Sequence, residues 1–279
     1  MLSRRPLLVR IKYVAPVLAA FAAAGAAAYS GQAGPQSQPA KPGVAAPAMN
    51  LNLVVIDPAH GGPDNGATLG EHFFEKDVTL AVAGRLRAAL AGHGFTVVST
   101  RDSDPQQVLP ADQRAALANR SHAVACLVVH ATKSGSGVHL FASRLQSEPP
   151  VDSDDESAAH FVPIPWQSAQ AGSVDQSLKV VDDLRAAFAA GSVRVTSGRA
   201  SVALLDSIMC PAVAVEIAPP EAGTDATPIR DAAYQQKIVD AIVGGLITWR
   251  TQATPPPDTA ASGQSAAPAQ STTNAKVTP

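Results

Sequence analysis

The chain has 279 residues, of which 21 are basic and 23 acidic, for a formal net charge of -2. That balance leaves none of the basic footprint that phosphate backbones require, so nucleic acid is excluded as a partner. With only 7 Phe, 3 Tyr and 2 Trp, the core has to be built from Ala, Val, Leu and Ile, which suits helices covering a sheet.

Arg4, Arg5, Arg10 and Lys12 precede an uncharged stretch over residues 13–29, the basic-then-apolar order of an export signal. The stretch is short for a membrane span, mostly Ala, and holds Pro16, so residues 1–30 read as a cleaved signal peptide in preference to an uncleaved anchor. An anchor of that kind would be the chain's one membrane attachment. Export places the protein in the periplasm or elsewhere in the cell envelope. Residues 31–50 are Gly, Pro, Gln, Ala and Ser with almost no large apolar side chain, which cannot offset the entropy of ordering, and read as a linker. Residues 253–279 read as a tail of the same kind.

Between them, residues 51–252 alternate apolar runs with segments of helical period. This is the pattern of a single α/β domain with a mostly parallel, mixed sheet flanked by helices. Residues 51–56 predict a strand buried on both faces, stopping at Asp57-Pro58, where Gly61 and Gly62 permit a tight loop. A helix follows over residues 75–91, with Val78, Val82, Leu86 and Leu90 on one face and with Glu75 and Asp77 set against its N-terminal dipole. Residues 95–99 predict a strand, residues 109–119 a helix or loop, and residues 123–129 a buried strand that ends at His130. After a short strand at residues 138–142, residues 146–173 turn acidic and Pro-rich and read as a mobile or lid-like insertion. A helix over residues 176–190, a buried strand over residues 212–215 ending at Glu216, and an amphipathic helix over residues 234–249 complete the domain. Cys126 and Cys210 both lie in apolar runs, and the reading is that they form no structural disulfide.

Ligands gather outside the carboxyl ends of the strands in such a sheet, and His60, His130 and Glu216 each follow a buried strand closely. Glu75, opening the first helix, reaches the same rim. Two imidazoles and a carboxylate make a catalytic zinc shell with a fourth position left open. A further carboxylate must then move protons, and Glu216 suits that role as general base. It is also the most telling single residue, because an acid directly after Ala-Val-Ala-Val is costly to bury without a partner. His60 or His130 alone would read as a solvated loop residue or a strand-end hydrogen-bonder. His72, His93, His122, His139 and His160 match no ligand position and read as surface or loop residues. Arg101 and Arg114 read as anchors for loops or ion pairs, with a contact to a substrate carboxylate as the alternative, and Trp166 as a packing anchor or a substrate contact.

The segments VVIDPAHGG, EKDVTLAVAGRLRAAL, GFTVVSTRDSD, QRAALAN, CLVVHA, CPAVAVEIA and AYQQKIVDAIVGGL occur in this order over most of residues 51–249. In these the chain resembles the zinc-dependent N-acetylmuramoyl-L-alanine amidases, the type 3 amidases among the cell-wall hydrolases. The resemblance implies Zn2+ held by His60, Glu75 and His130, Glu216 as catalytic glutamate, and peptidoglycan as substrate. It also leaves room for a protein activator. The chain departs from the family at Ala59, where Gly is usual, at Thr132, where Asn is usual, and at residues 217–219, where Thr-Gly-Phe is usual. These departures bear on substrate placement rather than on metal binding. They motivate an alternative, a peptidoglycan-binding or regulatory protein of the same fold with little or no turnover.

Overall fold

The computed structural model describes residues 49–147, 165–223 and 226–254. The expected signal, the expected linker and C-terminal tail but for two residues each, most of the acidic insertion, and His160 lie outside the described residues; Asn50 belongs to a strand and Ala253 to a helix. Among the described residues no helix is long and apolar enough to cross a membrane.

The uninterrupted apolar run before Asp57 forms β1 (Asn50–Pro58), and the run before His130 forms β5 (Ala123–Ala131), buried from Ala123 to Val129. They pair in parallel within a six-stranded sheet. The others are β4 (Thr96–Ser99), β6 (Val138–Ser143), β7 (Val195–Ala200) and β8 (Ala212–Ile217), in the order β4-β1-β5-β8-β6-β7. β6 runs antiparallel to β8, and every other pairing is parallel. The sheet is therefore mixed and mostly parallel, as the alternation of strand and helix patterns implies.

Side chains alternate between the faces of a strand, and the two faces build two cores. On one face, α1 (Glu75–Gly92), α3 (Val174–Ala190) and α5 (Ala232–Ala253) cover Val54, Ile56, Leu127, Val129, Val213 and Val215. The α1 stripe of Val78, Val82, Leu86 and Leu90 is buried throughout, as its four-residue spacing predicts. On the other face, α2 (Ala111–Ser121) and the short α4 (Ala203–Ser207) cover Val55, Cys126, Val128, Ala212 and Ala214. A two-stranded hairpin, β2 (Thr68–Gly70) with β3 (Phe73–Phe74), leads into α1.

Three readings need correction. Cys126 and Cys210 form a disulfide, their Cα atoms 6.1 Å apart. The reason is register. Cys126 pairs with Ala212 across β5 and β8, and its N–H bonds to Pro211 O, which brings Cys210 alongside although 84 residues separate the two in sequence. The lid-like reading of residues 146–173 also fails at its C-terminal end. Trp166–Ser173 is a 3-10 helix whose fully buried Gln170 donates to Ile208 O at 2.8 Å and to Cys210 O at 2.9 Å. Trp166 itself is 52% exposed, so it is no buried packing anchor.

Closing a loop of this length limits the unfolded chain. The expected stabilisation is about 2–5 kcal/mol, or a fall in Tm of roughly 5–15 °C on reduction. Thermal melts with and without a reductant check this. The Cys126→Ala, Cys210→Ala double variant should melt where the reduced protein does and ignore the reductant.

Candidate metal centre

His60 follows β1 by two residues and sits in the left-handed region with φ 63°. Such a conformation is uncommon outside glycine and persists where the surroundings fix it. Here two arginines do so. Arg114 Nη2 donates to His60 O at 3.0 Å while its Nη1 pairs with Asp57 at 3.3 Å. Arg101 is buried beneath the loop and donates to Pro58 O at 2.9 Å, Ala59 O at 3.1 Å and Lys76 O at 2.8 Å. Both are loop anchors, as read from the sequence. Ala59 is buried without a positive φ, so glycine's backbone freedom is not needed there.

Glu75 opens α1 and is 5% exposed. Its Oε2 accepts the Ala67 N–H at 2.8 Å and faces His60 Nε2 at 3.2 Å. Its Oε1 accepts the Ala131 N–H at 3.1 Å and faces His130 Nδ1 at 2.8 Å. Burial alone would raise this carboxyl, but the hydrogen bonds from His130, His60 and Ala67 outweigh it and hold the group well below the usual carboxylate range. The hydrogen bond to Glu75 raises the His60 imidazole to about 8 against the opposing effect of burial, and Asp64 adds to the rise. Asp64 Oδ2 lies 2.8 Å from His60 Nδ1, which turns Nε2 toward Glu75.

One ligand atom each from His60, Glu75 and His130 lies within 4.8 Å of the other two. The two imidazole nitrogens approach different oxygens of this one carboxylate, at 3.2 Å and 2.8 Å, and two imidazoles with a carboxylate are the donor types a catalytic zinc site uses. The donor set therefore fits a metal ion. The sequence reading brings these three residues together, and the structure does the same.

Glu216 stands one strand over. In the parallel register of β5 and β8 it pairs with His130, and in the antiparallel register of β8 and β6 it pairs with His139. Paired residues share a face, so His130, Glu216 and His139 form one row on the α2 and α4 side. His139 Nδ1 lies 3.0 Å from Glu216 Oε2, which corrects the reading of His139 as a surface or loop residue. The direction of β6 was the missing information, because only its antiparallel pairing sets His139 opposite Glu216. A recess of about 250 Å3 opens beside His60 and His130, walled by Val108, Leu109, Pro110, Val202 and Leu204. Beyond Glu216, Tyr234 Oη donates to Ala218 O at 2.8 Å, and burial pushes its phenol up to about 12.

Gly66 is the tightest point of the loop. Its φ is 65°, and a Cβ there would stand 2.5 Å from His60 Cδ2 and 2.7 Å from Glu75 Oε2. Gly66→Ala should displace the His60 ring and weaken metal binding by at least about tenfold, with a further backbone cost of about 1–2 kcal/mol. Titration calorimetry with Zn2+ and a thermal melt read the two effects separately.

Comparison with known proteins gives the family and the fold. A family model described as N-acetylmuramoyl-L-alanine amidase matches residues 54–248. The germination-specific N-acetylmuramoyl-L-alanine amidase of Bacillus subtilis is 26% identical over 226 residues, covering 75% of this chain and 84% of that protein. Among solved structures, N-acetylmuramoyl-L-alanine amidase AmiC2 of Nostoc punctiforme superposes with a TM-score of 0.55 at 23% identity, covering 73% of this chain and 99% of that one. The CwlD amidase of Clostridioides difficile, solved in complex with the GerS lipoprotein, gives 0.51 at 20% identity, covering 72% and 99%. The family match runs from the first buried strand into the last helix and so takes in the whole sheet: the chain belongs to the N-acetylmuramoyl-L-alanine amidase family.

Proposed function

We propose that the chain hydrolyses the amide between the lactyl group of N-acetylmuramic acid and L-alanine in peptidoglycan, with zinc as its metal. The observation that carries this reading is the convergence of His60, Glu75 and His130 on one point, with Glu216 in the adjacent strand position. His60, Glu75 and His130 are the ligands in this reading. Zinc held there supplies Lewis acidity to the scissile carbonyl and to the attacking water. Glu216 accepts the proton that water loses as the new C–O bond forms, then delivers it to the alanine nitrogen as the C–N bond breaks. The recess between α2, α4 and the two histidines is where the substrate would lie, its apolar wall excluding water from one side. Arg101 and Arg114 hold the His60 loop in place.

Export to the periplasm or cell envelope belongs to the same proposal. It is supported by the basic-then-apolar order of the first 30 residues and by the disulfide, a bond that persists in oxidising compartments. A protein activator is part of the proposal too, by analogy with the lipoprotein partner of the CwlD amidase.

The test is digestion of purified sacculi by the zinc-loaded chain. Mass spectrometry should find free stem peptides and glycan strands stripped of peptide. Intact muropeptides after incubation with folded, metal-replete protein would overturn the proposal.

A further inference from the structure

The row across β5, β8 and β6 sets Glu216 between two histidines of different surroundings. His130 faces Glu75 in the metal cluster, whereas His139, among the described residues, pairs with the carboxylate of Glu216. Its ring is fixed independently. Gly135 lies over it with φ 83°, and a Cβ at that position would stand 2.4 Å from His139 Cε1 and 2.7 Å from Nε2. The loop backbone can approach so closely only because residue 135 has no side chain. Phe141 meets the ring edge-on, with centroids 6.5 Å apart. Among the described residues the polar partner of this ring is Glu216 Oε2, at 3.0 Å.

We propose that His139 is a positioning residue for the amidase reaction, holding Glu216 in its working rotamer through an Nδ1–H···Oε2 hydrogen bond. This rests on Glu216 being the proton-moving carboxylate, as argued under Proposed function. A carboxylate only accepts hydrogen bonds, so the contact places the imidazole proton on Nδ1. With Oε2 engaged, Oε1 is left for the attacking water. When Oε1 takes the water's proton, Oε2 still accepts from His139, so the same bond holds the carboxyl through both proton transfers. Without it the side chain of Glu216, a third exposed, is free to swing among rotamers.

Steady-state kinetics on a soluble muramyl-peptide with the full-length, zinc-loaded chain tests this. His139→Phe fills the space and removes the donor. It should lower kcat by roughly 10–100-fold, leaving KM within about threefold and metal content unchanged. His139→Asn places an amide N–H near the former Nδ1 and should recover most of that loss. Gly135→Ala, which pushes the ring aside without touching Glu216, should reproduce the kcat loss, and it carries the test if His139→Phe does not fold. In the Glu216→Gln background, His139→Phe should add nothing. Imidazole 15N spectra give a readout apart from turnover, with His139 as the Nδ1–H tautomer in the native chain. A native kcat in folded His139→Phe, an Asn variant as poor as Phe, or an Nε2–H tautomer overturns the inference. If Glu216→Gln itself keeps native turnover, the base assignment fails first and this inference with it. If Glu216→Gln is inactive and His139→Phe is native, the inference fails alone.

Discussion

Glu216→Gln should leave the chain folded and its metal content unchanged while turnover falls by about 10²–10⁴-fold. The side chain sits near the end of β8 with Val213, Val215 and Ile217 packed on the opposite face, so an isosteric change leaves the core intact. It lies outside the His60, Glu75 and His130 cluster, so metal binding is spared. What the amide cannot do is accept a proton at neutral pH and return it to a leaving amine. Metal analysis alongside kinetics separates the two effects: a variant with full metal and near-native rate would remove Glu216 from the reaction. Loss of metal together with rate would instead mark it as part of the ion's shell.

How far these outcomes could be read from the sequence differs by element. Strands buried on both faces announce themselves as unbroken apolar runs, so β1, β5 and β8 were legible, and so were the residues at their carboxyl ends. The α1 stripe was legible for a similar reason, since its spacing and its buried face coincide. β7 was not, because Val-Thr-Ser-Gly-Arg-Ala is an edge strand with four exposed residues in its middle and no apolar alternation. Only pairing with β6 makes it a strand. The disulfide and the Glu216–His139 contact were hidden for one reason: each depends on which strands are neighbours. Cys126 and Cys210 meet because β8 follows β5 in the sheet, and His139 meets Glu216 because β6 enters antiparallel on the far side of β8. Composition and periodicity predict elements and their ends, whereas neighbour order comes from long-range packing. Asp64 is an intermediate case. Its spacing of four residues from His60 was visible, but the turn that folds it back onto Nδ1 depends on the Gly61 and Asp64 bridge.

Glu75→Gln should be the most damaging single-atom change in the chain. Both carboxylate oxygens are engaged twice, Oε1 by the Ala131 N–H and His130 Nδ1, Oε2 by the Ala67 N–H and His60 Nε2. A glutamine carries one oxygen and one NH2, so whichever way the amide is turned, a donor confronts a backbone N–H at a buried position. Leaving one such N–H unsatisfied costs about 1–3 kcal/mol, and the negative charge that draws the two imidazoles together is gone. Metal affinity should fall by more than the roughly 10–100-fold that loss of an outer partner costs, with turnover lost alongside it and Tm lowered. Metal analysis after dialysis, a thermal melt and sacculus digestion measure the three effects. The contrast with Glu216→Gln is the decisive feature: one carboxylate-to-amide change should take the metal and the other should leave it. Stoichiometric metal in a folded Glu75→Gln chain would mean that His60 and His130 converge for another reason, and the metal reading of this rim would have to be abandoned.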